Sequence, residues 1–293
     1  MSATAFAPAK VNLFLHVGAA NAGGLHPLSS LMVFADVGDR LTLDSAETLG
    51  MTVVGPFAGG LTGGEDNLVM RGARALLATP GPQAAAFHLA LDKQLPIASG
   101  LGGGSSDAGA ALRLLRDAVR PEMSDEALIA VAAMLGSDGP ACLFGRPVVA
   151  EGLGERLSPA PRFPVIEAVL INPGVASPTG AVYRAFDQTA GQCSADLPVL
   201  PDAFDKTEAL AALLRDQRND LEAPAIALNP VIGEVLGLCR AAPESLLARV
   251  SGSGATCFAL CASAAAAKSL ADRIAEQRPA WWVRPCRLGG PWP

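Results

Sequence analysis

Between Leu95 and Leu115 the chain reads LPIASGLGGGSSDAGAALRLL, with Gly100, Gly102, Gly103 and Gly104 crowded ahead of two serines and a run of helix-forming residues. No other stretch restricts the fold as strongly. Glycine tolerates positive φ and close backbone approach. The first N–H groups of a helix have no partner within it. A glycine loop feeding a helix is therefore suited to an anion, with phosphate the natural guest. Ser105 and Ser106 are also ordinary N-cap residues, so a capped glycine turn accounts for the same letters.

The familiar phosphate loops differ from this one. A Walker A loop ends in Gly-Lys-Ser/Thr, and no lysine stands between Lys93 and Lys206. The dinucleotide fingerprint and the protein-kinase loop both need a third glycine where this chain has Ser105. What remains is Pro96 followed by Gly-Leu-Gly-Gly-Gly-Ser-Ser, with hydroxyls in place of the lysine.

The 293 residues suffice for two domains of ordinary size or one large one. Half are hydrophobic and few are aromatic, which predicts a folded soluble protein with a core of Ala, Leu and Val. The net charge of −6 and the lack of a basic run argue against nucleic-acid binding. Cys142, Cys193, Cys239, Cys257, Cys261 and Cys286 form no Cys-x-x-Cys pair and have no nearby histidines, which suits buried thiols in a reducing cytoplasm better than metal ligands or disulfides. With no signal-peptide pattern and no membrane-length apolar run, the expected location is cytoplasmic.

Along the chain, Ala9–Val17 alternates as a strand, with Val11, Leu13, Leu15 and Val17 on one face and Lys10, Asn12, Phe14 and His16 on the other. That second face reads equally as a site lining or as the solvated side of an edge strand. His26 falls in a turn; strands follow at Leu28–Val37 and, after a turn at Gly38-Asp39, at Leu41–Leu43. Asp66–Ala78 has an acidic cap and helical spacing. Met51–Val54 and Phe87–Leu91 read as strands, and Asp107–Val119 and Ser124–Leu135 as helices. Asp138 sits in a Gly/Pro turn, where aspartate is commonly a turn former. Residues 151–164 look like a crossing between domains. Beyond it, Val165–Ile171 and Trp281–Arg287 read as strands. Thr179–Phe186, Leu210–Arg215, Asp220–Ala227, Val231–Arg240 and Ala262–Glu276 read as helices. Gln188–Lys206 has no clear pattern, and Gly252-Ser253-Gly254 separates two apolar runs as a tight turn would. Strands first, with helices interleaved but not in strict alternation, indicate α+β.

Three stretches stand in order: AFAPAKVNLFLHV, LPIASGLGGGSSDAGAAL and VSGSGATCFAL. Together they resemble the three motifs of the GHMP kinases, the superfamily of galactokinase, homoserine kinase and mevalonate kinase. Within it the chain is most similar to the 4-diphosphocytidyl-2-C-methyl-D-erythritol kinases, through Pro8-Ala9-Lys10-Val11-Asn12-Leu13, Gly24-Leu25-His26, Glu65-Asp66-Asn67-Leu68, the whole loop, Gly136-Ser137-Asp138-Gly139-Pro140, and Asn172-Pro173-Gly174 with Thr179 beyond.

The resemblance implies a two-domain α+β GHMP kinase fold, ribosomal protein S5 domain 2-like over residues 1–155 and ferredoxin-like over residues 156–293, with ATP in a deep cleft. It assigns the nucleotide to Asn67, Pro96, Gly100, Gly102, Gly103, Gly104, Ser105 and Ser106, with Ser106 also a contact for Mg²⁺. Lys10 and Asp138 become the catalytic pair at the acceptor hydroxyl. Asn12, His26, Thr179 and Tyr183 become contacts for a cytidine diphosphate-linked polyol, phosphorylated on its 2-hydroxyl. Leu25 stands where that family carries a tyrosine, which leaves base stacking to Tyr183, and Gly139 and Ala141 are smaller than the residues usual beside the aspartate. The alternatives are a GHMP kinase for another alcohol, such as mevalonate or homoserine, and a binding or regulatory protein without catalysis. No nucleic-acid or membrane partner is expected; monomer and homodimer both stay open.

Overall fold

The computed structural model describes residues 2–80, 86–189 and 194–292, so Cys193 and residues 190–192 of the patternless stretch lie outside the described residues. In chain order the first half contains β1 (Ala3–Val17), β2 (Leu28–Ala46), β3 (Gly50–Val54), α1 (Leu68–Leu77), β4 (Ala86–Asp92), α2 (Gly103–Val119), α3 (Asp125–Ala133), α4 (Gly139–Phe144), β5 (Val148–Gly152) and β6 (Arg156–Pro159). There follow β7 (Ile166–Asn172), α5 (Thr179–Thr189), α6 (Thr207–Arg215), α7 (Glu222–Leu228), α8 (Val231–Arg240), β8 (Ser245–Val250), β9 (Cys257–Cys261), α9 (Ala264–Gln277) and β10 (Trp282–Gly289).

The strands join in one sheet, ordered β3-β4-β2-β10-β7-β9-β8, with β1 paired to β2 and the β5–β6 hairpin joined to β2 through β5. All pairings are antiparallel except β3 with β4. The last strand thus links the halves: β10 pairs along β7 and touches β2 at Leu288↔Ala35 and Gly289↔Phe34. One apolar cluster, with Leu41, Leu89, Leu112 and Leu128, packs α1, α2 and α3 on the first half. Another, with Val169, Ile232, Cys257 and Leu270, packs α8 and α9 on the second. A third, with Val11, Phe14, Leu170 and Phe258, spans both. Among the described residues no helix is long and apolar enough to cross a membrane.

Four local expectations are corrected. The turn expected at Gly38-Asp39 is continuous strand: β2 runs straight through it. Gly38 is there because β1 crosses closely, and a Cβ would collide with the Ala7 carbonyl. The cap of α1 is Asn67, whose side chain accepts from Val69 N–H at 3.0 Å, and not the acidic residue before it. The stretch after Gly152, expected as a crossing, begins as a hairpin, with Val148↔Pro159 and Glu151↔Arg156 paired. Finally, β1 has no solvated face from Ala7 onward; Lys10, Asn12 and His16 are all buried. A register shift between Asn12 and Phe14 breaks the period of two, and Phe14 joins Leu13 in the spanning cluster instead of sharing the polar face.

Helix α2 is the centre of the first half. It packs on β1, β2, α1 and α4, and Ala108, Ala110, Ala111, Leu112 and Leu115 are buried around its circumference. Small residues allow the close approach: a Cβ on Gly109 would stand 2.9 Å from the Cys142 carbonyl oxygen on α4. Each buried leucine contributes about 1.5–3 kcal/mol, enough to fix the helix firmly against the sheet.

Candidate active site

Helix α2 starts at Gly103, inside the glycine run, so Ser105 and Ser106 belong to its first turn and do not cap it. This removes the capped-turn reading. The N-cap is Gly102, with φ 60°, a left-handed conformation that glycine takes without strain. A Cβ there would stand 3.0 Å from Lys10 Cε and 3.4 Å from Cys142 Sγ, so the loop lies directly on the first strand. The first bond within the helix is Ser106 N–H to the Gly102 carbonyl at 2.9 Å. The amides of residues 103–105 therefore point past the helix end, where the helix dipole favours an anion.

Lys10 comes to the same point from β1. Its backbone N–H donates to the Leu101 carbonyl at 2.7 Å. Its Nζ donates to Asn12 Oδ1 at 2.8 Å and lies 3.2 Å from Asp138 Oδ2. Asn12 in turn donates to Ser30 Oγ at 2.8 Å, and Ser30 Oγ to the Phe14 carbonyl at 2.6 Å. The lysine is held by a chain of buried polar groups. Asp138 stands at the N-terminus of α4, before Gly139 and Pro140.

A second glycine turn presses on the loop from β8–β9. Ser251 Oγ donates to the Gly100 carbonyl at 3.0 Å, and Thr256 N–H to the Ser99 carbonyl at 3.0 Å. Ser177 Oγ donates to the Ser253 carbonyl at 2.7 Å, and Thr179 Oγ1 lies 3.0 Å from Ser253 Oγ. Asn219 Nδ2 donates to the carbonyls of Val250 and Gly252, each at 2.8 Å, and fixes the turn from behind.

These elements enclose a cavity of about 440 Å³. Of the residues singled out as catalytic or acceptor-binding, Lys10, Asn12, Asp138, Thr179 and Tyr183 line it. Of those assigned to the nucleotide, Asn67, Pro96, Gly100, Gly102, Gly103, Gly104 and Ser105 line it too. His26 and Ser106 stand one layer back. His26 packs its ring on Tyr183 at 5.0 Å and bonds the Gly18 carbonyl at 2.9 Å, with Asp187 at 3.2 Å. Ser106 Oγ is buried beside the Cys142 thiol, its nearest bonding group.

Burial, with the Asp138 charge added, pushes the Tyr183 hydroxyl up to about 12, so it stays a neutral donor. Burial likewise pushes the Cys142 thiol up to about 12 and keeps it inert. Asp39 lies behind the loop, and Lys93 and Asp107, both buried, form part of the cavity wall beneath it. One ammonium cannot neutralise two buried carboxylates, and burial pushes Asp107 up to about 8 against the pull of Lys93. The sequence reading missed this group. Its only local signal was an aspartate on the helix immediately after Ser106, where an apolar stripe begins.

Residues 67–146 match the family model of the GHMP kinases N terminal domain, and residues 202–280 that of the GHMP kinases C terminal. A 4-diphosphocytidyl-2-C-methyl-D-erythritol kinase of Caulobacter vibrioides is 58% identical over 289 residues, 98% of this chain and 100% of that protein. The crystal structure of a 4-(cytidine 5'-diphospho)-2C-methyl-D-erythritol kinase superposes with a TM-score of 0.76 at 34% identity, covering 99% of this chain and 100% of that one. The homoserine kinase from Cytophaga hutchinsonii shares the fold, with a TM-score of 0.70 at 20% identity over 99% of this chain and 94% of that one.

Proposed function

This chain belongs to the GHMP kinases, and on that premise we propose that it transfers the γ-phosphoryl group of ATP to the 2-hydroxyl of 4-diphosphocytidyl-2-C-methyl-D-erythritol, a step of non-mevalonate isoprenoid synthesis. The observation that carries the chemistry is the Lys10–Asp138 pair, 3.2 Å apart, lining the same cavity as the exposed amides of the glycine loop. The choice of acceptor rests on the relatives' identity over nearly the whole chain. In this reading residues 1–155 and 156–293 act as two domains around the cavity.

Phosphoryl transfer asks a protein to hold the phosphates, align the hydroxyl and offset charge in the transition state. The amides of residues 103–105 and the α2 dipole hold the donor. The Asp138 carboxylate accepts the proton of the acceptor hydroxyl as its oxygen bonds to the γ-phosphorus and the bond to the β-phosphate oxygen breaks, releasing ADP. Lys10, 3.2 Å from Asp138, stabilises charge gathering on the transferred group. Thr179 and Tyr183 bracket the acceptor, with His26 backing the tyrosine ring.

Mg²⁺ fits as an ion carried by the nucleotide, since it favours phosphate and water oxygens over all-protein cages. Ser105 and Ser106, both on the first turn of α2, are the hydroxyls on hand for it, Ser105 lining the cavity and Ser106 one layer behind. When bound, the ion offsets part of the phosphate charge. The cysteines among the described residues, buried and free of disulfides, support a reducing cytoplasmic setting.

A coupled assay of ADP release with a panel of alcohols tests the reading. Turnover with the cytidyl-linked erythritol and not with mevalonate or homoserine is expected. Turnover with another alcohol would replace the acceptor, and nucleotide binding without turnover on any would remove the kinase.

A further inference from the structure

Asp39, Lys93 and Asp107 form a buried ion cluster for which the reaction above has no task. Lys93 Nζ donates to Asp39 Oδ2 at 2.5 Å and to Asp107 Oδ2 at 2.6 Å, and the lysine is only 3% exposed. The other oxygen of Asp39 accepts the backbone N–H groups of Gln94 at 2.6 Å and Leu95 at 2.8 Å. Gln94 and Leu95 are where the chain enters the glycine loop. Asp107 is where it leaves, in the second turn of α2. Both ends of the loop are therefore tied to one group of side chains. The cluster also underlies the loop, because a Cβ on Gly103 would stand 3.1 Å from Lys93 Nζ and 3.7 Å from Asp39 Oδ2.

A buried ammonium shared between two carboxyl groups is a poor means of stabilising a fold, since apolar residues of similar volume often do as well or better. It is a good means of fixing geometry, because each bond has one direction and one length. We infer that Lys93, held between Asp39 and Asp107, is a positioning residue that clamps both ends of the glycine loop and keeps it in its anion-receiving shape before a nucleotide arrives. The clamp lowers the ordering cost of binding the donor. It acts through the loop, from the cavity wall beneath it.

Backbone amide NMR relaxation over residues 99–104 of the nucleotide-free full chain tests the clamp. Wild type is compared with Lys93→Met and with the triple variant Lys93→Met, Asp39→Asn, Asp107→Asn, which leaves no unpaired buried charge and covers the case in which the single variant does not fold. Order parameters of about 0.85 are expected in wild type and below about 0.6 in the variants. The amides of β9 report that the core is intact. If the loop-competent population falls to roughly a tenth, KM for ATP rises about tenfold while kcat at saturating ATP and KM for the alcohol stay near wild type. The kinetic arm rests on the kinase reading and the relaxation arm does not. A wild type that phosphorylates no alcohol would remove the kinase reading and leave the clamp standing. Loop order in the folded variants equal to wild type, or a lower thermal midpoint with unchanged loop order and unchanged KM for ATP, would overturn the clamp.

Discussion

Lys10 Nζ sits 3.2 Å from Asp138 Oδ2, yet the two side chains differ in exposure, 6% for the lysine and 35% for the aspartate. The lysine is held by Asn12 and the loop, and the aspartate opens towards the cavity. A group that must meet an incoming hydroxyl needs that asymmetry. Asp138→Asn keeps the shape and removes the proton acceptor, so kcat should fall roughly 10²–10⁴-fold with KM for ATP close to wild type. Steady-state kinetics check this, and near-wild-type turnover would remove the aspartate from the chemistry.

Lys10→Met keeps most of the buried stem and deletes the charge. The loss should be in transition-state stabilisation, with kcat lower by roughly 10²–10³. Stability should fall by no more than about 1–3 kcal/mol, because the buried Asn12 Oδ1 loses its donor while Asp138 is open enough to water to stay solvated alone. Turnover and thermal unfolding on the same preparation separate the two effects. A large drop in thermal midpoint with kcat unchanged would make Lys10 structural only.

Glycines within the loop are not equivalent. Gly100 has φ +76°, and a Cβ there would collide with the Ser251 carbonyl oxygen and stand 2.8 Å from the Gly254 amide nitrogen, both backbone atoms of the opposite turn. Gly100→Ala should cost about 1–3 kcal/mol from backbone strain alone, with the clash added. Gly104 is helical, and its nearest neighbour for a Cβ is Leu68 Cδ1 at an ordinary 3.4 Å. Gly104→Ala should leave the thermal midpoint unchanged or higher while weakening ATP binding, as the proposed placing of the phosphates at the α2 N-terminus requires. Thermal unfolding paired with nucleotide titration distinguishes them; equal midpoints for both variants would contradict the interlocked turns.

His16 links stability to pH. Burial is the largest influence and holds its imidazole below the ordinary 6.5, with the Asp196 carbonyl bond and Asp220 acting the other way and Arg218 and Arg249 acting with burial. Nδ1 donates to that carbonyl at 2.8 Å, and Nε2 is buried without a partner, so protonation would bury an unpaired charge. Below 6.5 the unfolded chain takes up a proton that the folded one resists, so this contribution is present above 6.5 and is lost as pH falls through the lower folded value. His16→Gln removes the titration. Wild type should lose more thermal stability than the variant between about pH 7.5 and about pH 5.5. Parallel pH profiles of the two midpoints would refute the link.

Much of this protein is legible along the chain. The glycine loop at helix α2, Lys10 on a strand, Asp138 in a tight turn and the existence of most helices follow from neighbours in sequence, because φ preference, capping and hydrophobic period are local properties. What local reading could not decide was where distant backbones meet. Gly38 looks like a turn residue, yet serves a close crossing with Ala7; Ser105 and Ser106 look like caps, yet lie inside a helix that Gly102 begins. Asn12 looks like a substrate contact, and the fold also makes it the residue that orients Lys10. Asp39, Lys93 and Asp107 carry no shared pattern at all. Only packing β2, β4 and α2 together brings the three within hydrogen-bond reach, since direct bonds between charged groups need a separation of about 3 Å that sequence spacing cannot encode across separate elements.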